Sequence, residues 1–119
     1  MEVNMKKVFL SIIFMVMVLA NLSAYAHPPS DIIISYDTQT KVLHAVIMHN
    51  TMNTVKHYIK QVEVALNDKV IITQMFSLQG NNVSQDVTYL VPDAKAGDKL
   101  SVDADCNLSG DLKKAITVK

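Results

Sequence analysis

The sequence predicts an all-β domain, a seven-stranded immunoglobulin-like antiparallel β-sandwich, behind a short apolar leader. Residues 27–119 break into short β-branched runs at roughly 10- to 15-residue spacing, separated by Gly, Pro, Asn, Asp and Ser turns. No run in that part repeats its apolar residues with the period of a helix. Length bounds the rest: removing residues 1–26 of the 119 leaves 93, enough for one domain, and no internal repeat or low-complexity tract divides it.

The leader comes first in the chain. Lys6 and Lys7 form a positive start, Val8 to Ala20 is apolar, and Asn21 to Ala26 is polar and small. Ala24-Tyr25-Ala26 fits the A-x-A pattern, so residues 1–26 are expected to be a secretory signal peptide cut before His27. The alternative is an uncleaved anchor. The apolar run falls short of the roughly 20 residues that a bilayer-spanning helix needs, and no basic flank follows it. The domain 27–119 is therefore expected to be exported, periplasmic or extracellular, with no stable membrane span after cleavage. Cys106 is far from the cut, which excludes a lipid-anchored cysteine at the mature N-terminus.

After the extended HPPSD start, where two prolines prevent a helix, Asp31 to Tyr36 reads as the first strand. Asp37 to Thr40 is a turn. Lys41 to His49 is the second strand, with Leu43, Ala45, Ile47 and His49 on one face and Val42, His44, Val46 and Met48 on the other. Both faces are apolar enough for a central strand. Asn50 to Lys56 is a polar loop. His57 to Leu66 is the third strand, with Val62, Val64 and Leu66 inward. Asn67-Asp68 marks a tight hairpin into Lys69 to Leu78. Gln79 to Asn82 turns the chain into Ser84 to Val91, which Pro92 stops. Lys99 to Ala104 alternates cleanly, and Cys106 continues the parity of Leu100, Val102 and Ala104. Lys113 to Val118 forms the last strand.

Charge narrows the functions. The whole chain balances 11 Lys+Arg against 11 Asp+Glu; losing Glu2, Lys6 and Lys7 with the leader leaves 9 against 10. All the cations are lysines. With no basic excess and no guanidinium fork, nucleic acid is a poor partner, and so is an extended anionic membrane surface. A single cysteine cannot form an internal disulfide, so Cys106 is buried, paired with another chain, or bound to a metal.

Chemistry concentrates in the histidines. All four, His27, His44, His49 and His57, lie in the first third of the mature chain. His49 and His57 stand at the ends of two strands across one loop, where two imidazoles can share an ion. Imidazole suits iron, copper and zinc, and the Cys106 thiolate adds a soft donor. The plain alternatives are two solvated loop histidines and a cysteine packed as a small hydrophobe. His44, mid-strand and facing away from His49, is the poorest candidate. Met48 and Met52 flank His49 and could serve copper(I), although core packing accounts for Met48.

HPP at His27, H…KHYI from His49 to Ile59, and VDADCNLSG from Val102 to Gly110 resemble the iron-binding domain of the superoxide reductases, the desulfoferrodoxin and neelaredoxin family. The resemblance covers nearly all of residues 27–119 and is most specific at HYI and C-N-x-x-G. It implies the same sandwich, His27, His49 and His57 as equatorial ligands of one mononuclear iron, and Cys106 as the axial thiolate. It also implies one-electron reduction of superoxide, bound opposite Cys106, by an electron donor. There are departures. Ser109 stands where the family's C-x-x-H-G pattern carries a histidine, and the loop from His49 to His57 is longer than usual. The Glu-Lys pair before the first histidine is replaced by Tyr25-Ala26, and there is no rubredoxin-like cysteine module.

Two other readings compete. After cleavage, the α-amine of His27, with an ordinary pKa near 8, and its imidazole could together chelate copper. Zinc would also accept three histidines and one cysteine, as a closed four-ligand site. The other is a metal-free β-sandwich binding module, to which Ser109 points. A hydrolase is remote, because residues 27–119 hold one glutamate and no nucleophile elbow.

Overall fold

The computed structural model describes residues 4–20 and 27–119. Helix α1 (Met5–Ala20) precedes strands β1 (Asp31–Asp37), β2 (Val42–Met48), β3 (Ile59–Leu66), β4 (Lys69–Met75), β5 (Ser84–Leu90), β6 (Lys99–Cys106) and β7 (Asp111–Thr117). The chain is mostly β, as expected. Its strands form two antiparallel sheets, one ordered β1-β2-β5 and the other β4-β3-β6-β7. The apolar leader is helical, and among the described residues no helix is long and apolar enough to cross a membrane. The expected cleavage motif Ala24-Tyr25-Ala26 lies outside the described residues.

Alternation builds the core. Leu43, Ala45 and Ile47 of β2 are fully buried, while His44 between them is exposed. β2 is central in its sheet, with Ala45 opposite Ile34 on one side and Val87 on the other. Facing it, β3 and β6 contribute Ile59, Val62, Val64, Leu100, Val102 and Ala104 to the same apolar cluster. Each Val, Leu or Ile removed from water there contributes about 1.5–3 kcal/mol.

Some strand bounds shift from those predicted, at β2 and β3 where something other than a ladder bond holds the backbone. β2 starts one residue late because Lys41 closes the turn at φ 63°. β3 starts at Ile59 rather than His57, because Tyr58 bonds the Asn107 side chain through its N–H. β6 runs on to Cys106 instead of stopping at Ala104. A bulge between Val64 and Ala65 shifts the β3–β4 ladder, but the β3–β6 register is unbroken there, so Leu66, opposite Leu100, stays half-buried against the core as its parity implies.

Two side chains outside the apolar cluster shape its stability. The Tyr36 hydroxyl donates to the Val91 carbonyl at 2.6 Å, fastening the end of β1 to the segment after β5. Asp103, on β6, has a buried Oδ1 with no hydrogen-bond partner. Burial pushes its carboxyl up to about 6, and a hydrogen bond and charge from Asp111 push the same way. Glu63 adds to the rise and Lys113 opposes it.

Tyr36→Phe should therefore cost about 0.5–1.5 kcal/mol in urea unfolding, the net value of one such bond. For Asp103, the folded chain holds the proton more tightly than the unfolded one. Its contribution favours folding at low pH and is lost as pH rises from about 4 to about 6. Asp103→Asn should raise the Tm at neutral pH, and the gain should vanish as the pH is lowered towards 4 in a thermal-melt series.

Candidate metal centre

The register of β3 on β6 builds the centre. The register shifts by one residue between Gln61 and Ile59, so Ile59 pairs with Cys106 and His57 falls just beyond the ladder beside the thiol. Cys106 points inward with Leu100, Val102 and Ala104 and is only 2% exposed. His49 follows β2 directly and crosses from the other sheet, its N–H bonded to the Val83 carbonyl at 3.0 Å. One ligand atom from each of His49, His57 and Cys106 lies within 4.8 Å of the others. Metal–ligand bonds of about 2.0–2.3 Å to imidazole and thiolate suit donors spaced on this scale.

His27 joins them as a third imidazole. Its ring centroid lies 5.2 Å from that of His49 and 5.4 Å from that of His57, which are 4.6 Å from each other. It arrives on a short arm: Pro29 is buried, and Ser30 donates its N–H to the Met48 carbonyl at 2.8 Å. A Cβ at Gly110, whose φ is 70°, would stand 3.1 Å from the Cβ of Pro28. The turn after β6 thus presses on the arm, and glycine is what lets it approach.

The ring nitrogens differ in their partners. His49, 1% exposed, has Nδ1 at 2.7 Å from Gln79 Oε1 and Nε2 at 3.2 Å from the His27 carbonyl oxygen. His27 Nδ1 lies 3.1 Å from the Pro28 carbonyl, so it is the donor there and Nε2 is free. His57 Nε2 is buried with no partner. Such an atom costs about 1–3 kcal/mol unless something binds it. Burial holds the His57 imidazole below the usual range, and the charges of His49 and His27 act likewise against a backbone hydrogen bond with His27. The neutral ring is the form that binds a metal.

The donor set fits a borderline or soft transition metal: imidazole nitrogens, one thiolate, and one nitrogen with nothing else to bind. Of the predicted ligands, His49, His57 and Cys106 converge and His27 lies against them. His44 is exposed on the outer face of β2, as its parity implied. Ser109 is half-buried in the turn between Cys106 and Gly110. Met52 is fully exposed and helps line a cavity of about 550 Å³ with His27, Asn50, Thr51, Asn53, His57 and Asn82. A larger, shallower depression of about 700 Å³ lies at the other end of β2, over Tyr36 to Thr40 and His44, away from this chemistry.

Sequence reasoning assigned no role to two residues that hold the centre together. Asn107 accepts the Tyr58 N–H through Oδ1 at 2.9 Å and donates through Nδ2 to the Lys56 carbonyl at 3.0 Å. Its own N–H donates to the Tyr58 carbonyl at 3.0 Å, so it brackets His57 on both sides. Gln79 is the other, and it is 1% exposed within a segment that reads as a surface turn. Asn107→Ala deletes two side-chain bonds and should cost about 1–3 kcal/mol in urea unfolding, with metal binding weakened although no ligand is removed.

No family model, no curated protein and no solved structure matches the chain.

Proposed function

We propose that this is an exported metal-binding protein holding one mononuclear iron at His49, His57 and Cys106, with His27 as a further ligand. The observation that carries this reading is the convergence of two imidazoles and a buried thiol, one of the rings, His57, keeping a buried Nε2 without a partner. The preference for iron rests on the resemblance to superoxide reductases. The sheet orders β1-β2-β5 and β4-β3-β6-β7 support the immunoglobulin-like sandwich that goes with it.

Bound iron would supply a one-electron couple, and the activity we assign is reduction of superoxide by one electron and two protons to hydrogen peroxide. The electron comes from an external donor. Cys106 supplies a strongly donating thiolate from within the core, and the apolar β6 neighbours keep water from that side. His27, His49 and His57 would supply the imidazole ligands, and the cavity along His27 and His57 gives a small molecule access. No lysine lines that cavity, so attraction of an anion depends on the metal itself.

Copper is the second reading. It is favoured by Met52, whose thioether shares the cavity with His27 and His57. Zinc would fill the same ligands as a closed site.

The full chain should be expressed with its own N-terminus, recovered from the exported fraction without chelator, and its first residue read by mass spectrometry. We expect His27 first, near-stoichiometric iron, and on oxidation a thiolate-to-iron absorption band that disappears in Cys106→Ala. Copper retained in Cys106→Ala would move the assignment to the His27 and Met52 side. No metal after loading with iron, copper and zinc would sink the metal reading altogether.

A further inference from the structure

The geometry points to Gln79 as the residue that positions His49: it fixes the ring as the Nδ1–H tautomer and leaves Nε2 as the ligating nitrogen. This rests on the metal reading above and adds a residue to it. Gln79 lies between β4 and β5, far from His49 in sequence, yet both are 1% exposed. Its amide cannot be turned over. Nε2 donates to two carbonyl oxygens, that of His49 at 2.7 Å and that of Asn81 at 2.9 Å, which only the NH2 group can do. The Oε1 atom is thereby aimed at His49 Nδ1, at 2.7 Å. An amide oxygen only accepts, and a neutral imidazole has one proton to give; the 2.7 Å contact with Oε1 claims it for Nδ1, while the His27 carbonyl oxygen, at 3.2 Å from Nε2, makes the longer contact that an ion bound at Nε2 would displace.

The backbone makes this hold rigid. Gln79 donates its own N–H to the Thr54 carbonyl at 3.0 Å, within the loop joining His49 to His57. Gly80 donates to Gln85 Oε1 at 2.9 Å, and Thr51 donates to the Asn82 carbonyl at 2.8 Å. The β4–β5 connection is thus bonded to the histidine loop at several points, with the Gln79 amide as its innermost contact. A metal-binding histidine whose second nitrogen donates to a fixed oxygen is held in orientation and made a better donor, and removing such a partner typically weakens metal binding about 10–100-fold.

The test uses the exported full chain, nitrogen-15 labelled and metal-free, at about pH 8.5, where an ordinary imidazole is neutral. Nitrogen chemical shifts should place the His49 proton on Nδ1 in the wild type and in Gln79→Glu, which keeps an oxygen against the ring. Gln79→Leu should lose that preference. Ferrous iron affinity, titrated anaerobically, should fall about 10–100-fold in Gln79→Leu and stay within about threefold in Gln79→Glu. That retention is expected even though Gln79→Glu lacks both amide donors and melts at a lower temperature. A merely structural role predicts instead that affinity falls in both variants in step with Tm. That result, or a His49 proton on Nε2 in the wild type, overturns the inference. If Gln79→Leu does not fold, the wild type and Gln79→Glu decide it. A wild type with the proton on Nδ1 but no affinity for iron would support the hold of Gln79 on the ring while sinking the metal reading.

Discussion

Antiparallel pairing of β3 with β6 sets His57 and Cys106 side by side at the candidate metal centre. With Ile59 opposite Cys106 after a one-residue shift of register, and a turn at residues 54–56 closed by the His57 N–H on the Asn53 carbonyl, the chain delivers His57 next to the thiol. A slip of one residue would send Leu100, Val102, Ala104 and Cys106 together to the outer face. Burial of the apolar members of that row, at about 1.5–3 kcal/mol for each larger side chain, therefore also fixes the thiol. The core row and the thiol of the candidate centre share one strand.

That arrangement places polar groups at the end of an apolar core, where an unmet hydrogen bond is costly. The chain meets the difficulty with a closed network. The Gln79 amide binds two carbonyls and one imidazole, and Asn107 stands in for the ladder partners that Tyr58 and Lys56 lack. Among the described residues, the buried side-chain atoms left without partners are His57 Nε2, Ser101 Oγ and Asp103 Oδ1. The first lies where a metal would bind. Burial first, then Asp111, raises the Asp103 carboxyl to about 6, and nothing in the fold explains Ser101.

Period-two alternation made the sheets legible from sequence. β6 reads inward at Leu100, Val102, Ala104 and Cys106 and does so in the structure, and the parity of β2 separates His44 from His49. What periodicity could not show was any position held by a side chain from elsewhere. HYIKQV reads as strand from its first residue, but Asn107 takes over the bonds at Tyr58 and the ladder begins at Ile59. The bulge at Ala65 is invisible because each of its residues is an ordinary strand former. Gln79 looked like a turn residue since its partners lie far back in the chain. The loop ends at His49 and His57 were readable as a pair, but their separation depends on the β4–β5 connection bonded against them.

The two prolines after His27 carry a consequence of a different kind. An ordinary residue loses about 1–2 kcal/mol of backbone entropy when fixed, and an arm docking on the sheets would lose that at every step. Pro28 and Pro29 are already confined in φ, one resting on Gly110 and the other buried. Much of the ordering is thus built into the covalent chain before the arm meets the sheets. The third imidazole reaches its neighbours with little freedom left to surrender, so its binding strength can go to whatever it holds.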